Sequence, residues 1–466
     1  MLMIDDTVVN VALPSIGRDL RFGAELLPWV VDAYMLLFGG FLILNGRVAD
    51  IFGRRRMFIA GLFLFTTGSL VAGVSETAMA LVVARGVQGF GGALLAPAAL
   101  GTLAAAFQSQ DGRRRALGVW SAVTGLSGIA GVLLGGIVTG ILGWRWVFLI
   151  NVPAAVLILI MLLLGYTLSD PNGVDPSRLD LPGAVLGSAG LLILVWAVLN
   201  APADGWLSPP ILALFGVAVL LLIAFLFWQA HTRSPILDLR LFRLRSFSTS
   251  AMCMLLAAAG MYSMVFFLTQ YMQTVQGWSP IRTGISWLSF GALFMIATGA
   301  SIKLTPRVGA RNLMVAGGVL ASIGQLLLLR TAPQGGYWSQ LAPAIAFMGA
   351  GIGLAFMPVY VTAMHGHDAR DSSVVSGVIG TMQQIGGALG VAALGSVAIS
   401  RYRYVLSRTG NARIALVDGF HRSFLLAALC MLALGAAALF LPSMVQDVDI
   451  ETIQGLRPHS QASESC

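Results

Sequence analysis

The sequence predicts an all-α integral membrane protein with fourteen transmembrane helices in a 6+2+6 arrangement. Three observations predict it. Of 466 residues, 57% are hydrophobic and only 10% charged, against ~25% charged in an ordinary soluble domain. Fourteen apolar runs of about membrane-spanning length alternate with short charged or Gly/Pro-rich segments. The 55 glycines would be costly in soluble helices, yet small residues let membrane helices approach closely.

The first six runs are 1–20, 28–44, 57–74, 78–100, 116–142 and 146–167. Run one is the most polar, run two opens at Pro28, and run three follows Arg54 to Arg56. Run four starts after Glu76, run five follows Arg113 to Arg115, and run six follows Arg145. Two inserted runs, 181–199 and 210–229, open after Asp180 and Pro209. The last six are 247–272, 283–302, 313–329, 341–363, 374–399 and 420–441, bounded in turn by Arg245, Arg282, Arg311, Gln340, Asp371 and Asp418. The expected organisation is a six-helix bundle over 1–168, a two-helix insert and linker over 169–246, a second bundle over 247–442 and a cytoplasmic tail over 443–466.

The net charge of +8 comes from 28 Lys+Arg against 20 Asp+Glu, and Lys303 is the only lysine. Nucleic-acid binding is excluded, because the cations sit in short clusters between apolar runs rather than on one face with interleaved aromatics. With both termini cytoplasmic, inner segments carry 17 of these cations and outer ones 10, as the positive-inside rule requires. The stretch from Arg401 to Arg422 supplies half of the outer total and is the exception. Cys253, Cys430 and Cys466 form no disulfide framework, and His365 and His367 lack a third ligand nearby, so no metal site is expected. No basic segment precedes the first apolar run, so no cleavable signal peptide is expected.

The chain echoes itself. Gly53-Arg54-Arg55 is matched by Gly309-Ala310-Arg311, and the Gly-rich run ending at Pro97 by Gly349 to Pro358. Two parallel six-helix repeats about an insert explain both shifts. The same shift places the start of run one nine residues ahead of Met1, as it would be if the recorded start were internal to the true reading frame.

A charge at a helix centre costs ~2.5 to 3.5 kcal/mol on insertion scales and is a functional candidate by default. Asp5 lies ~18 Å below Gly17, near the middle of a ~30 Å core. With Thr7, Asn10 and Pro14 it makes run one polar; the alternative is a solvated amino terminus containing Asp5 and Asp6. Asp32 and Arg85 lie ~6 and ~10 Å deep, placed to pair across helices. That pair is either structural or a proton-sensitive contact that biases two conformations.

The most specific string is Gly46-Arg47-Val48-Ala49-Asp50-Ile51-Phe52-Gly53-Arg54-Arg55-Arg56. Its glycines permit a tight reversal, and Asp50 can cap or accept charge-assisted bonds. It resembles the cytoplasmic signature loop of the major facilitator superfamily, with Val48 in place of Leu. Ile4 to Pro14 resembles the first-helix motif of that superfamily's fourteen-helix drug:proton antiporter branch, with Asp5 at the acidic position. Arg85-Gly86-Val87-Gln88-Gly89-Phe90-Gly91-Gly92 resembles the fourth-helix motif. Gly118, Ser127, Gly131, Val132, Gly135 and Gly136 resemble the antiporter motif of the fifth helix, with Ser127 for a Gly and Val132 for the Pro associated with a helix kink and export. Pro235 to Phe242 resembles the loop after the extra helix pair.

The resemblance covers essentially the whole chain and implies the major facilitator fold. It implies a monomer in the bacterial cytoplasmic membrane that exports small lipophilic or cationic compounds, without a cofactor, in exchange for protons. Asp5, Asp32 and Arg85 would couple protons, Gly46, Asp50, Gly53, Arg54 and Arg55 would form the conformational-switch loop, and Gly131, Gly135 and Gly136 would mark the antiporter helix. The Val132 substitution leaves the direction of transport open.

The last six runs contain no obvious mid-membrane carboxylate. The substrate cavity candidates are Asn10, Gln88, Tyr262, Phe266, Gln270, Trp287, Tyr360, Gln383 and Gln384, with Phe267, Tyr271, Phe290 and Phe356 as further aromatics. Aromatic stripes commonly serve packing, whereas amides in hydrocarbon require partners and favour a polar lumen. No nucleotide-binding P-loop is present, so ATP is not the expected energy source. Without a Ser/His or metal constellation an enzyme is not expected. Export of a self-made metabolite, uptake, and a transporter-like receptor remain the alternatives.

Overall fold

In a computed structural model the chain is all-helical over the residues described, which are 1–23, 26–106, 127, 130–164, 180–233, 235–332, 335–364 and 372–441. α1 (Leu2–Asp19), α2 (Trp29–Phe52), α3 (Arg54–Val74) and α4 (Ala78–Ala106) follow the first four runs. α5 (Ala130–Ile141) is followed by α6 (Arg145–Leu149) and α7 (Asn151–Leu163), which share run six. The insert is α8 (Leu181–Asp204) and α9 (Pro209–His231). α10 (Arg245–Gln270) runs into a π-helical turn, Tyr271–Val275. α11 (Pro280–Ser286) and α12 (Leu288–Val308) share run ten, and α13 (Ala310–Leu327), α14 (Ala342–Met364), α15 (Ser372–Thr409) and α16 (Ala412–Ala438) complete the chain.

Among the described residues, eleven helical stretches are long and apolar enough to cross a membrane, and Trp29–Leu42 and Ala130–Ile141 are shorter apolar helices. α1 has 18 residues but holds Asp5, Asp6, Arg18 and Asp19, which is why its composition reads as polar. Arg113 to Arg115, Gly118, His365, His367 and the tail lie outside the described residues, as do the side chains of Asp6 and Asp50.

The expected loop from Gly46 to Arg56 is mostly helix. α2 continues to Phe52 and α3 starts at Arg54, so the reversal falls on Gly53 alone, at φ 98° and ψ 128°. Only glycine holds that conformation without strain. Gly309 makes the same turn between α12 and α13, at φ 85° and ψ 144°. A second echo lies in the packing: a Cβ on Gly61 of α3 would fall 2.8 Å from the Gly91 carbonyl of α4, and one on Gly317 of α13 would fall 2.5 Å from that of Gly351 on α14. Backbone-to-backbone approach of this kind is how membrane helices gain van der Waals contact.

α1 to α7 and α10 to α16 form two sets of helices that meet along α2 and α15. Thr381 donates to the Gly39 carbonyl at 3.2 Å. At the face opposite the Gly53 turn the sets touch again, where Gln273 donates to the Val11 carbonyl at 2.7 Å. α9 is the outermost helix, with Leu220, Ile223 and Phe227 more than half exposed.

The arginines that break the charge rule lie at this opposite face, and most are consumed by the protein itself. Arg401 pairs with Asp418, Arg403 donates to the Pro202 carbonyl at 2.6 Å and Arg413 to the Val275 carbonyl at 2.6 Å. Arg408 lies over the Tyr404 ring. α15, predicted to end at 399, continues to Thr409 and carries Arg401 and Arg403 to their acceptors.

Candidate functional site

The site is built on α1, α3, α4 and α7, whose apolar packing buries a small set of polar side chains. Asp5 on α1 is 1% exposed and Arg85 on α4 is 0% exposed. Arg85 Nη1 donates to Asp5 Oδ2 at 2.6 Å and to Gln88 Oε1 at 2.9 Å. Gln88, one turn on from Arg85, donates through Nε2 to Asp5 Oδ1 at 3.0 Å and to the Ser69 hydroxyl of α3 at 2.6 Å. Asn151, the first residue of α7, donates to Asp5 Oδ1 at 2.7 Å. The Arg85 Nε donates to the Val30 carbonyl of α2 at 2.8 Å, and its guanidinium lies over the Tyr34 ring, 4.3 Å from the centroid.

Both charges are therefore compensated: Asp5 by an ion pair and two amide donors, Arg85 by a carboxylate, two neutral acceptors and an aromatic face. Such satisfaction is what a buried ion pair needs to offset its desolvation. Asp5 thus sits in a network that ties four helices together.

The Asp32–Arg85 pairing expected above is overturned. The guanidinium of Arg85 meets α2 at the Val30 carbonyl, and two residues further along a helix point ~200° away. Arg85 reaches Asp5 instead, the length of its side chain closing the difference in depth. Asp32 is 0% exposed, and neither of its carboxylate oxygens has a hydrogen-bond partner among the described residues.

The antiporter-motif glycines seat α5 on the helix that carries Asp5. A Cβ on Gly131 would fall 3.0 Å from the Ile4 carbonyl, and one on Gly135 2.7 Å from that of Val8. Gly136 turns the other way: a Cβ there would fall 2.6 Å from the Pro280 carbonyl of α11. α5 is thus wedged between α1 and the second set of helices. Gly284 of α11 meets the Val132 carbonyl, 2.9 Å from where its own Cβ would lie.

The sequence analysis found Asp5, Arg85 and Gln88 but missed Ser69, Asn151 and Tyr34. Asn151 carried a signal, as an amide within an apolar run. The cavity candidates are not gathered at one place. Trp287, Phe290, Phe294, Phe356 and Tyr360 form an aromatic ladder along α12 and α14, with centroids 5.4 to 6.1 Å apart. Phe266 belongs to a second group with Phe267 and Phe420. Gln384 is buried beside Gly39, where a Cβ on the glycine would fall 2.6 Å from its own, and its Oε1 has no partner among the described residues, like the Trp287 Nε1. Asn10 and Gln270 are buried, Gln383 and Tyr262 half-buried.

The family model described as Major Facilitator Superfamily matches residues 1–391. The chain belongs to the major facilitator superfamily. It is 38% identical to the puromycin resistance protein pur8 of Streptomyces alboniger, over 90% of this chain and 83% of that protein. It is 35% identical to the cephamycin export protein CmcT of Amycolatopsis lactamdurans, over 96% and 91%. The tetracenomycin C resistance and export protein of Streptomyces glaucescens is 33% identical over 86% and 74%. The fold is similar to that of a bacterial homologue of the human lysosomal transporter Spinster, solved facing inward and unoccupied, with TM-score 0.68, 18% identity and coverage of 94% of this chain and 93% of that one. This major facilitator protein is a multi-pass membrane transporter of small molecules and not an enzyme.

Proposed function

We propose that the chain is a proton-coupled exporter of lipophilic or cationic antibiotics and similar toxic compounds. It would have fourteen crossings arranged as two six-helix bundles about a two-helix insert, both termini in the bacterial cytoplasm, and no cofactor. The observation that carries this reading is the buried Asp5–Arg85 pair with its amide donors. A membrane transporter has no structural need for a caged ion pair that packed apolar residues could replace, whereas proton exchange requires a titratable group whose partners differ between two states.

The relatives' names support the direction and the class of cargo: resistance to puromycin, export of cephamycin, resistance to and export of tetracenomycin C. Asp32, without a donor among the described residues, is the second proton acceptor in this reading. The aromatic ladder with the unpartnered Trp287 Nε1, and Gln384 at the α2–α15 seam, would receive an apolar cargo with few polar groups. Bundle rocking then exposes the cargo to either side.

Everted membrane vesicles test this with ethidium as the probe. Wild-type protein is expected to move ethidium only under a proton gradient, and Asp5→Asn and Asp32→Asn to lose that dependence. Gradient-dependent transport at the wild-type rate by both variants would remove the coupling assignment. Transport of no tested compound would favour a narrow exporter of a self-made metabolite.

A further inference from the structure

The insert helices sit on the seam between the two bundles, and α8 touches both, but it does so by different chemistry on each side. Toward α15 the contacts are directional: Ser396 donates to the Val198 carbonyl at 2.5 Å and Arg403 to the Pro202 carbonyl at 2.6 Å. At the other end of α8, Asp180 caps the helix through the Gly183 N–H at 2.9 Å and accepts from Trp228 and Gln229 of α9, both at 2.6 Å. Gln229 in turn accepts the Leu237 N–H at 3.0 Å. Leu237 belongs to the linker, which continues into Leu241 and packs with Phe247 and Val375 in the core of the second bundle. α8 is hydrogen-bonded to that bundle near one end and tied to it through the linker at the other.

Toward α2 the contacts are smooth. Trp196 meets Trp29 at 5.4 Å between ring centroids, and Ala184 and Ile236 cluster with Leu44. The Ser188 hydroxyl lies 2.8 Å from where a Gly40 Cβ would be, yet it makes no hydrogen bond among the described residues. Hydrogen bonds are directional and costly to leave unmade in hydrocarbon, whereas apolar contacts exchange one neighbour for another at little cost.

From this asymmetry we infer that the two-helix insert is mechanically part of the carboxy-terminal bundle, and that the α2–α8 interface is a sliding face during rocking. Ile236 is its releasable end. It is buried against Leu44 of α2 only five residues before Leu241 is buried in the second bundle. Five residues span at most ~18 Å, so the two anchors cannot separate far. When the cytoplasmic ends of the bundles move apart, Ile236 must leave its seat while the insert stays with α15. The inference rests on the alternating-access reading above and extends it to a segment that reading does not use.

Spin-label distances test it on the full-length protein in liposomes, with Cys253, Cys430 and Cys466 replaced by serine. Three exposed positions on the side of the Gly53 turn serve: Ile59→Cys on α3, Leu181→Cys on α8 and Val308→Cys on α12. The Ile59–Val308 pair reports rocking between acid and alkaline pH and with added ethidium. The expected result is that Leu181–Ile59 shifts in step with this reporter while Leu181–Val308 stays fixed. A shift of Leu181–Val308 with a fixed Leu181–Ile59 distance overturns the assignment and gives the insert to the first bundle. A reporter that never moves overturns the alternating-access reading itself. In S396A/R403A the Leu181–Val308 distribution is expected to broaden; an unchanged width would show that those bonds do not hold α8.

Discussion

Removing the charge of Asp5 and of Arg85, singly and together, measures how far the buried pair acts as a unit. In Asp5→Asn the guanidinium keeps two neutral acceptors, the Val30 carbonyl at 2.8 Å and Gln88 Oε1 at 2.9 Å, for a full positive charge. In Arg85→Gln the carboxylate keeps two amide donors, Gln88 at 3.0 Å and Asn151 at 2.7 Å. Breaking a buried pair from one side costs ~3 to 5 kcal/mol, and Arg85→Gln belongs at the lower end because its orphan keeps two donors. The double variant leaves no uncompensated charge, so its cost should fall short of the sum by ~2 to 3 kcal/mol, within the range of coupling between contacting residues. At ~2.1 cal/mol/K per residue of unfolding entropy, 466 residues carry about 1 kcal/mol/K. Each single variant should therefore lower the midpoint of thermal unfolding in detergent by ~3 to 5 °C, and the double variant by ~2 to 3 °C less than the two together. Tryptophan fluorescence during heating reads the midpoints, and all three variants should lose gradient-driven ethidium transport in vesicles. Additive midpoints, within the ~0.5 kcal/mol expected of independent sites, would refute the claim that the pair works as one unit.

Three further outcomes follow from named contacts. Asn151→Ala removes a 2.7 Å donor to Asp5 and should cost ~1.5 to 3 kcal/mol, the usual worth of a hydrogen bond to a charged group; a midpoint equal to wild type would show that Asn151 does not support the pair. Gly135→Ala places a Cβ 2.7 Å from the Val8 carbonyl, so α5 must back away from α1; a loss of ~1 to 3 kcal/mol from overpacking and slowed transport are expected, and wild-type rates would sink the wedge role of α5. Gly53→Ala and Gly309→Ala each force a side chain into positive φ, at ~1 to 3 kcal/mol, and the two unfolding midpoints should fall alike; a neutral effect at either position would break the equivalence of the two turns.

Most of the fold was legible because membrane spans are written in composition: wherever residues of the apolar runs are described they are largely helical, and Gly53 and Gly309 turn where the echo put them. Lengths were less legible. α2 runs through Arg47 and Asp50 to Phe52, and α15 through Arg401 and Arg403 to Thr409, because a helix leaving hydrocarbon has no reason to stop where the apolar residues do. At the site, Asp5 and Arg85 announced themselves as charges in apolar runs. Their pairing did not, since depth along a helix says nothing of the direction a side chain faces, and the Val30 contact shows Arg85 turned away from Asp32. Ser69 and Tyr34 were invisible for another reason: a hydroxyl or an aromatic ring is ordinary in a membrane helix, and the role of each appears only when Gln88 reaches Ser69 and the Arg85 guanidinium lies over the Tyr34 ring.

The arginines at the face opposite the Gly53 turn bear on the proposed orientation. The positive-inside rule reads charges that must stay in water and resist being moved across a membrane. A guanidinium already held by the protein differs from a free loop charge once the chain has folded. Arg401, Arg403 and Arg413 are held by Asp418 and by the backbone carbonyls of Pro202 and Val275, and Arg145 by Asp19 at 2.6 Å. These carbonyls lie at or beside helix ends, where cations are favoured by the unsatisfied backbone oxygens. These four outer arginines thus serve local structural ends. The proposed orientation, with both termini on the cytoplasmic side, is thus compatible with the arginines of the α15 and α16 hairpin, where the simple count is weakest. Protease protection of a carboxy-terminal tag in everted vesicles would contradict this orientation.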